Sequence, residues 1–235
     1  RRFGFDIVRY HPTDTRPVNM LELAVLARLH LNPDFCFVQV GANDGVRHDP
    51  IHGLVREFGL RGILVEPLPD IFEALRANYA DQPQLTFVNA ALSAGQERLT
   101  LARFHADAPL HDDFHALASA DTKRIEELAR ERGLVQYVEH VEVPCVTFED
   151  LIAEHNIGQI DLLMMDVEGQ ELVLLQAAFE AGLKPAIIFL EFLHLSPAER
   201  CSAEQLLTDQ GYSIAYTGID LIGIQPFQSA AGYDN

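Results

Sequence analysis

Short apolar runs alternate with amphipathic helical stretches along this chain, and no other feature limits its fold as much. Phe35-Cys36-Phe37-Val38-Gln39-Val40 is an apolar run of strand length that stops at Gly41, the pattern of a strand buried on both faces. Helices are expected over about 50–58 and 69–79, with strands over 62–66 and 85–89. Further on, the pattern predicts a strand over 160–165, a helix over 169–181, a strand over 186–190, and a helix over 197–210 that stops at Gly211. Repeated strand–helix–strand units set their strands parallel and cover both faces of the sheet with helices. Two closing strands, 212–216 and 220–224, flank Thr217-Gly218-Ile219 and read as an antiparallel hairpin.

The middle breaks this rhythm. A strand over 97–104, a polar loop over 105–113, a charged helix over 121–132 and a strand over 138–146 read as an insertion at 97–147, a lid or acceptor-facing subdomain. It sits in a main domain spanning 35–225, and 235 residues suffice to bury one large α/β core. Before it lies an arm of seventeen residues with four Arg against two Asp, then a helix over 19–31; these make up 1–34. Residues 226–235 are expected to be an irregular tail.

Charge narrows the partners. With 17 Lys+Arg against 35 Asp+Glu the formal charge is −18, which repels a phosphate backbone and an anionic membrane surface alike. No apolar h-region opens the sequence, and the best apolar run, 186–195, is interrupted by Glu191 and His194. Cys36, Cys145 and Cys201 are far apart and odd in number, which suits free thiols. A cytoplasmic protein binding neither nucleic acid nor membrane is the expectation; oligomeric state is left open.

Three constellations sit where strands end. The first is Val40-Gly41-Ala42-Asn43-Asp44-Gly45, a glycine turn that lets a ligand approach the backbone, followed at the next strand end by Glu66, an acid suited to ribose hydroxyls. A plain tight turn and a helix-start acid are the competing readings. The second is Asp166-Val167-Glu168-Gly169-Gln170-Glu171. A carboxylate closing the apolar run Leu162-Leu163-Met164-Met165 is desolvated for no gain unless it serves a ligand, whereas Glu171 reads equally well as a first-turn helix acid. The third is Glu191-Phe192-Leu193-His194, which offers a histidine for proton transfer.

Joined in this order with Val65-Glu66-Pro67 and Val88-Asn89-Ala90-Ala91-Leu92-Ser93, these motifs resemble the FkbM-type family of S-adenosylmethionine-dependent methyltransferases over about 35–224. The resemblance implies a Rossmann-like class I methyltransferase: an α/β fold with a seven-stranded, mostly parallel sheet, helices on both faces, and an antiparallel strand from the C-terminal hairpin. It implies that Gly41, Asn43 and Gly45 wrap the methionine portion of S-adenosylmethionine, Glu66 the ribose diol, and Asn89 and Ala90 the adenine side, with Ala42 among the cofactor-binding residues. Many relatives carry an acid where this chain has Gln39, so the contact to the methionyl amine loses its charge, and Asp44 is the nearby acid that would compensate.

Methyl transfer from a sulfonium is an in-line displacement, in which alignment alone supplies about 7–11 kcal/mol. A hydroxyl acceptor must also lose a proton. His194, Asp166 and Glu168 are the candidate bases, in that order, with Asp166 alternatively orienting cofactor or acceptor. The expected activity is O-methylation of a small molecule or sugar, releasing S-adenosylhomocysteine. Acids at the strand ends (Glu66, Asp166, Glu168, Glu191) would favour the cationic cofactor over its product. A nicotinamide-dependent oxidoreductase or epimerase is the rival; G-x-G-x-x-G and Tyr-x-x-x-Lys are both missing from the sequence, and Lys123 and Lys184 are its two lysines. A non-catalytic cofactor-binding module is the third reading. His48 and His52 beside Asp49, and His105, Asp107, His111, Asp112, Asp113 and His115, invite a metal, but their spacing fixes no complete ligand set and none is expected.

Overall fold

The computed structural model describes residues 19–110, 117–155 and 157–226. The arm, the tail from 227 and the insertion residues His111, Asp112, Asp113 and His115 lie outside them. In chain order the strands are β1 (Cys36–Val40), β2 (Arg61–Val65), β3 (Leu85–Val88), β4 (Ala91–Leu92), β5 (Arg98–Phe104), β6 (Ala118–Ser119), β7 (Val138–Val146), β8 (Leu162–Met165), β9 (Ile187–Glu191), β10 (Ser213–Thr217) and β11 (Asp220–Ile224). The helices are α1 (Met20–Leu31), α2 (His52–Phe58), α3 (Pro69–Asn78), α4 (Thr122–Arg132), α5 (Phe148–His155), α6 (Glu171–Glu180) and α7 (Pro197–Asp209).

Seven strands form the main sheet in the order β10-β11-β9-β8-β1-β2-β3. All pair in parallel except β11, which runs antiparallel between β9 and β10, so the closing hairpin inserts its second strand. Alternation along each strand divides the core. Val38, Ile63, Leu163 and Ile188 face α5, α6 and α7 through Phe148, Leu175 and Leu207. Phe37, Leu64, Met164 and Phe189 face α1, α2 and α3 through Leu21, Val55 and Leu75. A second sheet, β4-β7-β5-β6, is built largely by the 97–147 insertion, with α4 packing Ile125 and Ala129 on it.

Most expected elements appear within one or two residues. The helix expected from 169 starts at Glu171 because Glu168 (φ 58°) and Gly169 (φ 106°) are left-handed and cannot enter it. Helix α5 was not expected. Its start signal is Thr147-x-x-Asp150, a capping box in which Asp150 N–H donates to Thr147 Oγ1 at 3.1 Å and Thr147 N–H to Asp150 Oδ2 at 3.0 Å. At the opposite end of the sheet from the glycine turn, fully buried Asp161 accepts from Arg28, Asn32 and the Cys36 N–H, tying α1 to the strands.

Candidate functional site

Parallel strands β1, β2, β8 and β9 all end at one edge, where a cavity of about 570 Å³ opens. Its floor is the glycine turn. Gly41 and Ala42 donate to Val65 O at 3.0 and 3.1 Å, pinning the turn to the end of β2. Gly41 has φ 78°, and a Cβ there would lie 1.9 Å from the Asp166 carbonyl oxygen, so only glycine lets β1 and β8 meet this closely.

Glu66 follows β2 on the face of Leu64 and is 5% exposed. Its two oxygens accept from Asn43 N–H (3.0 Å) and Leu68 N–H (2.9 Å), while burial pushes its pKa up to about 7. Ala42, Asn43 and Ala90 also line the cavity. Three expected cofactor residues do not. Asn89 donates its side-chain amide to Glu66 O and Pro67 O, at 2.9 and 3.2 Å, and so holds the loop carrying Glu66. Asp44 accepts from Val46 and Arg47 N–H, at 2.9 Å each, and pairs with the Arg47 guanidinium; it locks the turn. Gly45 is required by packing, since a Cβ there would lie 2.4 Å from the Tyr79 ring and 2.6 Å from Leu75 Cδ1.

Across the cavity the acids converge. Asp166 and Glu191 follow Met164 and Phe189 on the same face as Glu66. Asp220 joins them because antiparallel β11 begins where its neighbours end, in register with Glu191. Asp166 and Glu191 share a hydrogen bond; burial and the neighbouring charges of Asp166 and Glu168 push Glu191 up to about 9, so it holds the proton at neutral pH. Burial raises Asp220 to about 6, helped by Asp166. Glu171, fully buried, accepts from Val167 and Gly169 N–H at 3.0 Å each and shapes the loop.

Glu168 is gripped by the insertion: Ser119 Oγ donates to its carbonyl at 3.0 Å, and Arg124 Nη2 to its Oε2 at 3.2 Å. The same guanidinium lies 2.8 Å from His194 Nε2, itself 3.0 Å from Glu168 Oε2. An arginine only donates, so Nε2 accepts and the imidazole is neutral. Burial, then Arg124 and Arg200, push His194 down to about 4. Burial and Asp166 push Glu168 up to about 7 against the opposing pull of Arg124. Of the bases expected from sequence, the surroundings thus move Glu168 toward neutral pH and His194 away from it.

Among the described residues two groups bring carboxylate or imidazole ligand atoms within 4.8 Å of one another: Glu168, Glu191 and His194, and Asp166, Glu171 and Glu191. In the first, Arg124 already supplies the cation. His52 Nδ1 instead lies 2.7 Å from Gly45 O and 3.1 Å from Tyr79 Oη. No helix among the described residues is long and apolar enough to cross a membrane.

A family model described as the methyltransferase FkbM domain matches residues 39–214. The 31-O-demethyl-FK506 methyltransferase FkbM of Streptomyces tacrolimicus is 29% identical over 155 residues, covering 61% of this chain and 59% of that protein. The solved methyltransferase FkbM of Methylobacillus flagellatus KT superposes with a TM-score of 0.51 at 16% identity, over 81% of this chain and 44% of that one. The chain thus spans about three-fifths of the first relative and under half of the second.

Proposed function

The chain belongs to the methyltransferase FkbM domain family, and from that premise we propose that it uses S-adenosylmethionine to methylate a hydroxyl oxygen of a small molecule. The observation carrying this reading is the meeting of the Gly41 turn, buried Glu66 and the Asp166–Glu191 pair around one cavity. The residues fit the cofactor. Gly41 lines the cavity with bare backbone, Gln39 Oε1 is a buried acceptor without a partner among the described residues, and Glu66 is anchored by two N–H groups with lone pairs to spare for a diol. S-adenosylmethionine supplies a methyl carbon on a positively charged sulfur.

The chain's own residues do the rest. Gly41, Ala42 and Asn43 offer close backbone approach, and Glu66 accepts from ribose hydroxyls. Asp220, the pair of Asp166 with protonated Glu191, and Glu168 in its ionised fraction give one wall net negative charge, which favours a cation over its neutral-sulfur product. Glu168, which lines the cavity and has its pKa raised to about 7, takes the acceptor's proton. Arg124 and Ser119 hold Glu168, so the insertion orients the base; Leu99, Leu101, Ala118 and Ala120 supply apolar wall to the same cavity. The Streptomyces relative is named for methylating an O-demethylated compound, which supports oxygen as the acceptor atom.

Calorimetry with S-adenosylhomocysteine, S-adenosylmethionine and NAD tests the reading. Binding of both adenosyl ligands is expected, with methyl transfer to a hydroxyl compound. NAD binding alone would overturn it in favour of an oxidoreductase. Tight cofactor binding without transfer to any hydroxyl acceptor would point to a binding module.

A further inference from the structure

Gln39 sits in the middle of the main sheet, in register with Leu64 and Met164, and is 2% exposed. It lines the cavity, and its Oε1 has no hydrogen-bond partner among the described residues. A buried acceptor left without a donor is costly and rare, so this atom marks a place where a donor belongs. The Gln39 side chain also donates to Asp49, which lines the same cavity. Asp49 is placed there by left-handed His48 (φ 55°) ahead of Pro50, and accepts from Ile51 N–H at 2.9 Å and Tyr79 Oη at 3.3 Å. Burial and Asp49 itself raise the Tyr79 phenol, which keeps its proton and stays a donor.

All these donors are neutral. Among the described residues no Lys or Arg pairs with Asp49, and His52 is the nearby group whose charge would help it. Burial accordingly lifts Asp49 to about 6. A half-buried carboxylate and an orphaned carbonyl oxygen thus share one wall and lack a cation with several N–H donors. An alkylammonium, with three donors and one charge, fits both. Neither Gln39 nor Asp49 belongs to a group of metal-ligating side chains among the described residues, and Asp44 is spent on its own turn.

We propose that Gln39 and Asp49 together form the subsite for the ammonium of the cofactor's amino-acid end, Asp49 supplying from outside the strand the charge that Gln39 lacks. This rests on the S-adenosylmethionine reading above and deepens it.

The test compares S-adenosylhomocysteine with its desamino analogue, which keeps the adenosine, the thioether and the carboxylate. Calorimetry on the intact chain should show the native protein preferring S-adenosylhomocysteine by about 10- to 100-fold, the worth of one charge-assisted hydrogen bond. Asp49→Asn should erase most of that preference while leaving analogue affinity within about twofold. Gln39→Glu placed on Asp49→Asn should restore it, by returning a carboxylate to the adjacent atom. Gln39→Met, which removes the carbonyl oxygen and the donor to Asp49 but keeps the Asp49 carboxylate, should also lower the preference and serves if Asp49→Asn does not fold. An undiminished preference in these variants, or equal loss for both ligands, overturns the proposal. Failure of the native protein to bind either ligand would instead refute the cofactor reading itself.

Discussion

Arg124→Met tests how the insertion tunes the proposed base. Methionine keeps an unbranched chain of similar reach but removes the guanidinium from Glu168 Oε2 and His194 Nε2. A hydrogen bond to a charged group contributes about 1.5–3 kcal/mol. Here the side chains are 27% and 20% exposed, and screening reduces the contribution to roughly 1–2 kcal/mol. Since 1.36 kcal/mol corresponds to one pKa unit, Glu168 should rise from about 7 to about 8. A base must be deprotonated to act, so the acid limb of kcat/KM should move up by about one unit. Activity at pH 7 would fall about fivefold and recover by about pH 9. His194 should shift in the same direction, its imidazole titrating above its present value of about 4 as one cationic neighbour is lost, while burial and Arg200 still hold it down. The assay is a pH profile of methyl transfer, with NMR titration of the histidine ring as a reading independent of turnover. A native acid limb near pH 4 would make His194 the base and refute the reasoning. So would a limb that Arg124→Met leaves in place.

Two other expectations follow from the same geometry. Asp49 and Asp220 (about 6), Glu66 and Glu168 (about 7) and Glu191 (about 9) all have folded-state pKa values above their unfolded ones, so their contribution is full below about pH 4 and is lost as pH rises through the folded values. Thermal melts should therefore decline between about pH 5 and 9, and Glu191→Gln should flatten the part above pH 7; a melting temperature that climbs over this range contradicts the assignment. Gly45→Ala should destabilise the fold by about 2–4 kcal/mol, from a left-handed residue and overpacking against Tyr79 and Leu75, without changing S-adenosylhomocysteine affinity in the folded protein. Selective loss of affinity at unchanged stability would return Gly45 to the binding site.

Local pattern was enough for much of this. Strand length, apolar runs and the stop at Gly211 located the elements, because burial on both sheet faces and helical periodicity leave marks that need no partner. The hairpin around Gly218 was legible for the same reason. The glycine turn and Glu66 were legible as motifs, but identical letters hid different duties: Gly41 answers to the Asp166 backbone, whereas Gly45 answers to Tyr79 on α3. Asn89, expected as an adenine contact, also donates its side-chain amide to the Glu66 and Pro67 carbonyls, a bond no local pattern announced. Helix α5 was missed although Thr147-x-x-Asp150 announced it.

By itself, then, the sequence determined a parallel α/β sheet, its closing hairpin and the strand ends where chemistry would gather. Only the tertiary structure decided which groups meet there. Asp220 reaches Glu191 because β11 runs backwards; Asp49 reaches Gln39 across the turn; Arg124 reaches Glu168 and His194 from an insertion forty-four residues before Glu168. The charge state of each carboxyl follows from that convergence. Desolvation and the sign of the nearest neighbours set a pKa, and both are properties of space rather than of order along the chain.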